Sequence, residues 1–390
     1  MTYRIRTLNA ISPVGLARLP EASYEVGSDL AEPDALLLRS ADLHGAGIPA
    51  SVLAVARAGA GTNNIPIPEY SARGIPVFNT PGANANAVKE LTIAAIFLAA
   101  RNIIDAAAFA HRLDGAADAM SQAVEAGKKK FVGFELPGRT LGVIGLGAIG
   151  VEVANAACSL GMRVLGYDPA VTVDNAWKLS PLVERVGALE ELLRQSDIVT
   201  VHVPLVPATR GLLGAGQLAL LSASAVLINF ARAPIVDEAA VIAALEADRL
   251  RGYVCDFPTP DLNKRPRVVT LPHLGASTAE AEENCARMAA DQLRDYLERG
   301  TIRNSVNFPD ADLPLAQGVS RVAVANSNVP NMVGQMSSLM AEAGHNIADL
   351  LNRSKGDLAY TLIDVEGLAA PGLLDQIRQI PGVLAARLLA

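Results

Sequence analysis

The chain has 390 residues, 51% of them apolar, and carries 33 basic against 40 acidic side chains for a formal net charge of −7. That length exceeds one ordinary domain and leaves a large core to bury. The acidic balance argues against nucleic acid or an anionic membrane as main partner, but it leaves room for a locally basic pocket that takes a small anion.

The opening Met-Thr-Tyr-Arg-Ile-Arg lacks the apolar region of a signal peptide, so a soluble cytoplasmic protein is expected. Over residues 1–86 short apolar runs alternate with glycine and proline, and 35–39, 52–56 and 76–79 predict buried parallel strands. Residues 86–127 predict alanine-rich helix interrupted near Gly115; its most apolar run stops at Arg101, after about half a membrane span. From residue 139 the pattern becomes strand (140–144), glycine-rich turn, helix (151–160) and strand (163–168). Further strands are predicted at 198–202, 225–229 and 253–256 with helices between, a doubly wound nucleotide-binding sheet. Residues 309–317 read as a linker. Beyond them, strands at 321–325, 346–352, 359–365 and 384–389 and helices at 331–343 and 371–380 predict a βαββαβ unit forming a third domain. Cys158, Cys255 and Cys285 are widely spaced and odd in number, with no zinc or disulfide spacing, which suits a reducing compartment and predicts no metal site.

Three groups carry chemistry. Gly145, Gly147 and Gly150 follow a strand and open a helix, where they serve a tight turn, close backbone approach to a pyrophosphate, and helix-on-strand packing. A purely structural strand–helix turn is the plainer reading. Asp168 ends the next strand, 18 residues after Gly150, where a carboxylate accepts hydrogen bonds from ribose hydroxyls and repels a 2′-phosphate; NAD is favoured over NADP. Arg232 stands just past a strand's carboxyl end, able to grip a carboxylate with two parallel bonds. Its plainer reading is an ion pair with Asp237 or Glu238. His273 supplies the base that alcohol oxidation needs while hydride leaves. His202, at another strand end, is its rival; Gly275 and Ala276 favour His273 by permitting close cofactor approach.

With these residues in place the chain resembles the D-isomer-specific 2-hydroxyacid dehydrogenases. Within them it resembles the branch that oxidises D-3-phosphoglycerate to 3-phosphohydroxypyruvate, the entry step of serine synthesis. The landmarks are Leu38-Arg-Ser40, Arg57-Ala-Gly-Ala-Gly-Thr-Asn63, Phe78-Asn-Thr-Pro81, residues 142–150, Asn229-Phe-Ala-Arg232 and Pro272-His-Leu-Gly-Ala-Ser-Thr278. The resemblance implies two Rossmann-like domains: a split substrate domain of 1–100 plus 275–305, and an NAD domain of 101–274 inserted between. After a linker of 306–318 it implies a C-terminal ACT-like regulatory domain, 319–390. It implies Arg232 as the substrate-binding catalytic arginine and His273 as acid/base. Ala148, Ile149, Asp168, Val203, Phe230, Ala231, Asp256, Gly275 and Ala276 become cofactor contacts beside the three glycines. Arg39, Ser40, Arg57 and Gly59 become the substrate-holding group, with Asn84 and Lys128 as further candidates; residues 128–130 read equally well as a solvated lysine turn. Asn328 and Asn346 fall where the family binds serine as feedback effector, against a reading as caps or turn residues. Asn331 replaces the family's glycine and tolerates the left-handed backbone region. A homodimer or homotetramer is expected. A phosphate-free 2-hydroxy acid as substrate, or an NAD-sensing interaction module, are the alternatives.

One departure stands out. The family reads Asp-Val-Phe-x-x-Glu-Pro before the histidine, and its glutamate orients the ring. Here Asp256-Phe-Pro-Thr-Pro-Asp261 is one residue shorter and contains no glutamate. Asp256 matches the cofactor-side aspartate. Asp261, the nearest spare carboxylate, is expected to partner His273, against a ring held by a backbone carbonyl or water, or by nothing. Glu280, Glu282 and Glu283 are expected on the returning helix, facing solvent or the domain seam.

Overall fold

The short apolar runs of the first segment pair as five parallel strands: β1 (Tyr3–Leu8), β2 (Tyr24–Gly27), β3 (Ala35–Leu38), β4 (Ala54–Arg57) and β5 (Val77–Phe78), in the order β2-β1-β3-β4-β5. Successive side chains point to opposite faces, so both faces need cover. Ile5, Leu37, Ala56 and Phe78 meet the helix Ala279–Arg299 through Cys285, Ala289, Leu293 and Tyr296. Leu36, Leu38, Val55 and Val77 pack with Ile65 and Tyr70 on the other side. The computed structural model describes residues 2–263, 265–316 and 318–389. These divide into two compact units, Met1–Asn84 with Ala279–Ala390, and Ala85–Thr278. Gln317, in the expected linker, lies outside the described residues.

The second unit is built on seven parallel strands: β6 (Thr140–Ile144), β7 (Arg163–Tyr167), β8 (Val183–Arg185), β9 (Ile198–Val201), β10 (Val226–Asn229), β11 (Gly252–Cys255) and β12 (Val268–Thr270), ordered β12-β11-β10-β9-β6-β7-β8. β6, β9, β10 and β11 are buried along their whole length, as parallel strands covered on both faces must be. The order reverses at β6, flanked by β7 on one side and β9 on the other. Ligands of open α/β sheets collect outside the carboxyl ends at such a point.

The predicted helix over 86–127 is three helices, Ala85–Ala100, Ile103–His111 and Ala117–Gly127. The break near Gly115 was expected; the one at Asn102 was not. Asn102 takes a left-handed conformation (φ +50°) and its side-chain amide donates to the carbonyl of Val132 at 3.2 Å, which bends the first two helices by 65°. Among the described residues no single helix is long and apolar enough to cross a membrane.

The C-terminal segment has the predicted βαββαβ order: β13 (Val319–Ser327), helix Met332–Glu342, β14 (Ile347–Lys355), β15 (Leu358–Glu366), helix Leu373–Arg378 and β16 (Val383–Leu389), an antiparallel sheet ordered β14-β15-β13-β16. Met336, Met340 and Ile377 lie between its helices and one face. The other face, through Ala323, Tyr360 and Leu362, shares a core with Tyr296 and Phe308 of the same unit. A buried ion pair reinforces this junction. Arg321 Nε and Nη2 donate to Asp364 Oδ1 and Oδ2 at 2.6 and 2.7 Å, and the remaining Arg321 donors reach the carbonyls of Arg299, Leu313 and Pro314. All its hydrogen-bonding capacity is spent, which is what a buried guanidinium requires.

Candidate active site

The glycine turn after β6 divides its labour by position. Gly145 has φ +93°, and a Cβ there would lie 2.7 Å from the carbonyl oxygen of His202. At Gly150 a Cβ would lie 1.8 Å from the carbonyl oxygen of Gly145, so only glycine lets helix Ala148–Ser159 sit this close to the turn. At Gly147 a Cβ would meet nothing within 4 Å. That space is open, and no side chain caps the helix that Gly147 precedes, so the first amides, from Ala148 and Ile149 onward, are available to an anion. Asp168, past β7, braces the turn: its carboxylate accepts Leu146 N and Ala170 N, both at 2.8 Å. Each oxygen keeps a further lone pair for a hydroxyl donor.

The next two strand ends carry His202 and Val203, then Phe230, Ala231 and Arg232. His202 is held by Thr200 Oγ1 at 2.9 Å, and desolvation pushes its imidazole far below the usual range, so it is neutral. Val203 and Ala231 pack against one core cluster of this sheet and Phe230 lies in another. Asn229, fully buried, ties the turn: its Nδ2 donates to the carbonyl of Arg232 at 3.0 Å and its Oδ1 accepts Ala231 N at 3.1 Å. In the sequence Asn229 stands only as a landmark; a polar residue closing the apolar run Val226–Asn229 is the signal for this role. Arg232 donates to the carbonyl of Ala231 at 2.6 Å. The ion pair with Asp237 or Glu238 is not formed, because Asp237 caps a helix at Ala240 N and Glu238 accepts from Thr259.

His273 follows β12 with φ +58°, a left-handed conformation, and its ring is exposed. Among the described residues the ring makes no hydrogen bond or ion pair. Its neighbour is the Phe257 ring, 5.6 Å away and edge-on. Asp256, 2% exposed, accepts the amides of Leu274 and Gly275 at 2.7 and 2.8 Å. The expected Asp261–His273 pairing is not formed. Asp261 is exposed in a turn, while the left-handed backbone at His273 and the Asp256 clamp set the ring beside Phe257 instead. Gly275 is buried and Ala276 half-buried after the clamp.

In the other unit, Arg39 and Arg57 leave the carboxyl ends of the neighbouring strands β3 and β4, where Leu38 is paired with Arg57. Gly59 leaves room for the Arg57 guanidinium, whose Nη1 would lie 2.3 Å from a Cβ at that position. Ser40 donates its amide to Asn9 Oδ1 at 3.1 Å. Glu282 is exposed, as expected, but it is also paired with Arg39 at 2.7 Å and so stands with the expected substrate group; only the three-dimensional return of its helix makes this visible. Asn84 Oδ1 is buried without a partner among the described residues.

Lys128, Asn328 and Asn346 remain. Lys128 is exposed and pairs with Glu125 at 2.5 Å. In the C-terminal sheet Asn328 Nδ2 donates to the carbonyl of Gly356 at 3.0 Å, the carbonyl of Asn346 accepts Glu366 N, and Asn331 adopts φ +65°. Among the described residues no group of three or more His, Cys, Asp or Glu is placed to hold a metal ion.

Residues 95–275 match the family model described as "D-isomer specific 2-hydroxyacid dehydrogenase, NAD binding domain". The chain is 35% identical over 341 residues to D-3-phosphoglycerate dehydrogenase of Haemophilus influenzae, covering 84% of this chain and 79% of that protein. It is 36% identical over 342 residues to the Escherichia coli enzyme of the same name, with the same coverage. Among solved structures it is similar to NAD-bound 3-phosphoglycerate dehydrogenase of Entamoeba histolytica, at 26% identity and a TM-score of 0.62, covering 79% of this chain and 99% of that one.

Proposed function

The chain belongs to the D-3-phosphoglycerate dehydrogenases of the D-isomer-specific 2-hydroxyacid dehydrogenase family, and from that premise we propose that it oxidises D-3-phosphoglycerate to 3-phosphohydroxypyruvate with NAD, the first step of L-serine synthesis. The observation that carries this reading is the content of one sheet edge: the open, uncapped glycine turn after β6, Arg232 after β10 and His273 after β12.

The residues present fit NAD. The space beside Gly147 and the free amides from Ala148 suit a pyrophosphate, and the Asp168 carboxylate suits a ribose diol without a 2′-phosphate. Val203, Phe230, Ala231, Gly275 and Ala276 line the same edge of the unit. Asp256 acts on this edge through the main chain. Bound NAD supplies the hydride acceptor.

In the proposed mechanism Arg232 grips the substrate carboxylate and orients the 2-hydroxyl. His273, neutral at the start, takes the hydroxyl proton as the carbonyl forms and releases it afterwards. The tie of His202 to Thr200 and its desolvated setting favour His273 over it as the base. Asp261 is given no part in this reading, since among the described residues no hydrogen bond or ion pair joins it to the ring. Arg39, Ser40, Arg57 and Gly59 hold the substrate phosphate, and Asn84 and Lys128 complete the candidate set.

The C-terminal sheet is read as ACT-like and regulatory, with Asn328 and Asn346 as candidates for a serine effector. A homo-oligomer is part of the same reading. It is supported by the helices Ile103–His111 and Ala117–Gly127, which leave Ile103, Ile104, Met120 and Val124 exposed. The free cysteines suit a cytoplasmic location.

The test is NADH formation with D-3-phosphoglycerate against D-lactate and D-glycerate, with and without serine. Preferred turnover of the phosphorylated acid supports the assignment, and its absence rejects it in favour of another D-2-hydroxy acid. Turnover indifferent to serine rejects only the effector.

A further inference from the structure

The Arg39 guanidinium is already occupied. Glu282, on the first turn of helix Ala279–Arg299, places Oε1 2.7 Å from Arg39 Nη1. Arg39 extends from the end of β3 beside Arg57 at the end of β4. Cys285, one turn further along the helix, lies within electrostatic range of Arg39, Arg57 and Glu282 together. Arg39, at the end of β3 next to Arg57 at the end of β4, therefore meets a carboxylate at its guanidinium. The side chains of Arg39 and Glu282 are 40% and 44% exposed, so the pair is open to exchange with solvent anions and is held only weakly.

We propose that Glu282 is a resident anion at the phosphate-holding arginines, displaced from Arg39 when a phosphorylated substrate binds, and that it thereby sets the affinity and the phosphate selectivity of the site. The inference rests on the reading of Arg39 and Arg57 as phosphate ligands. A phosphate dianion competes with Glu282 for Arg39 and is repelled by its charge as long as the carboxylate remains close. An unphosphorylated acid has no group to place there and is less affected. Glu282 is thus a selectivity residue that weakens binding of the phosphorylated acid.

The test uses Glu282→Gln in the full-length protein, which keeps the shape and removes the charge. KM for D-3-phosphoglycerate is expected to fall about three- to tenfold, on the scale of a partly solvated charge interaction, with the change in KM rather than kcat and a smaller change for D-glycerate. A KM that rises or stays the same overturns the proposal, because Glu282 would then orient Arg39 or act on nothing. Inorganic phosphate provides a readout free of turnover: the variant should reach the same thermal upshift at several-fold lower phosphate, and an unchanged or higher requirement also overturns it. Tighter phosphate binding by the variant without turnover of the phosphorylated acid by either protein would sink the substrate assignment and leave the role of Glu282 standing.

Discussion

Asp256 accepts the amides of Leu274 and Gly275 at 2.7 and 2.8 Å and so holds His273 through its main chain rather than through its ring. A left-handed conformation is uncommon for a non-glycine residue, and the clamp immediately after it is what keeps His273 at φ +58°. The ring then leans on Phe257 rather than on a carboxylate. Exchanging Asp256 for Asn removes one of the two acceptors and sets an amide donor against a buried N–H. The expected cost is about 1–3 kcal/mol of stability, with kcat lowered about ten- to a hundredfold as the ring loses its position. Denaturant titration and steady-state kinetics on the same preparation check both. A loss of stability with full turnover would confine Asp256 to the fold.

The glycine turn makes a contrasting pair. Gly147→Ala puts its methyl into open space, so folding should be nearly unaffected, within about 0.5 kcal/mol, while NAD binding is lost. Gly150→Ala drives a methyl into the Gly145 carbonyl and should cost about 3 kcal/mol or more. Equilibrium unfolding and NAD titration by protein fluorescence separate the two. Equal losses of stability in both would contradict the assignment of the open space to the cofactor.

His202 predicts a pH dependence. Its folded-state pKa is lowered by desolvation, so below the unfolded value of about 6.5 the unfolded chain binds a proton that the folded chain does not. Stability therefore rises with pH through this window and is lost as pH falls below about 6.5. Thermal midpoints of wild type and His202→Gln between pH 7 and pH 5 provide the check: the variant should show a flatter profile. Parallel profiles would mean that His202 is not the group responsible.

Much of this molecule is legible in the chain. The strands of the nucleotide sheet announce themselves as continuous apolar runs, because burial on both faces leaves no polar alternation. Gly145 and Gly150 mark positions where backbone approaches backbone, and Asn331 takes up the left-handed turn its side chain tolerates. Less was visible where tertiary context decides. β8 and β12 are short and half-buried or exposed, so no period marked them. The break at Asn102 depends on its reach to Val132, some thirty residues on. Carboxylates near in sequence suggest a partner for His273, yet Asp261 is exposed in a turn and Asp256 works through amides. Glu282 lies on its expected helix, but its pairing with Arg39 joins residues far apart in the chain.

The most direct test of hydride transfer with His273 as proton carrier is turnover by His273→Asn, measured as NADH formation from D-3-phosphoglycerate alongside NAD binding. The expected result is a fall in kcat of about 10²- to 10⁴-fold, with NAD affinity retained. Turnover near that of the wild type would contradict the account and move the acid/base role to another group.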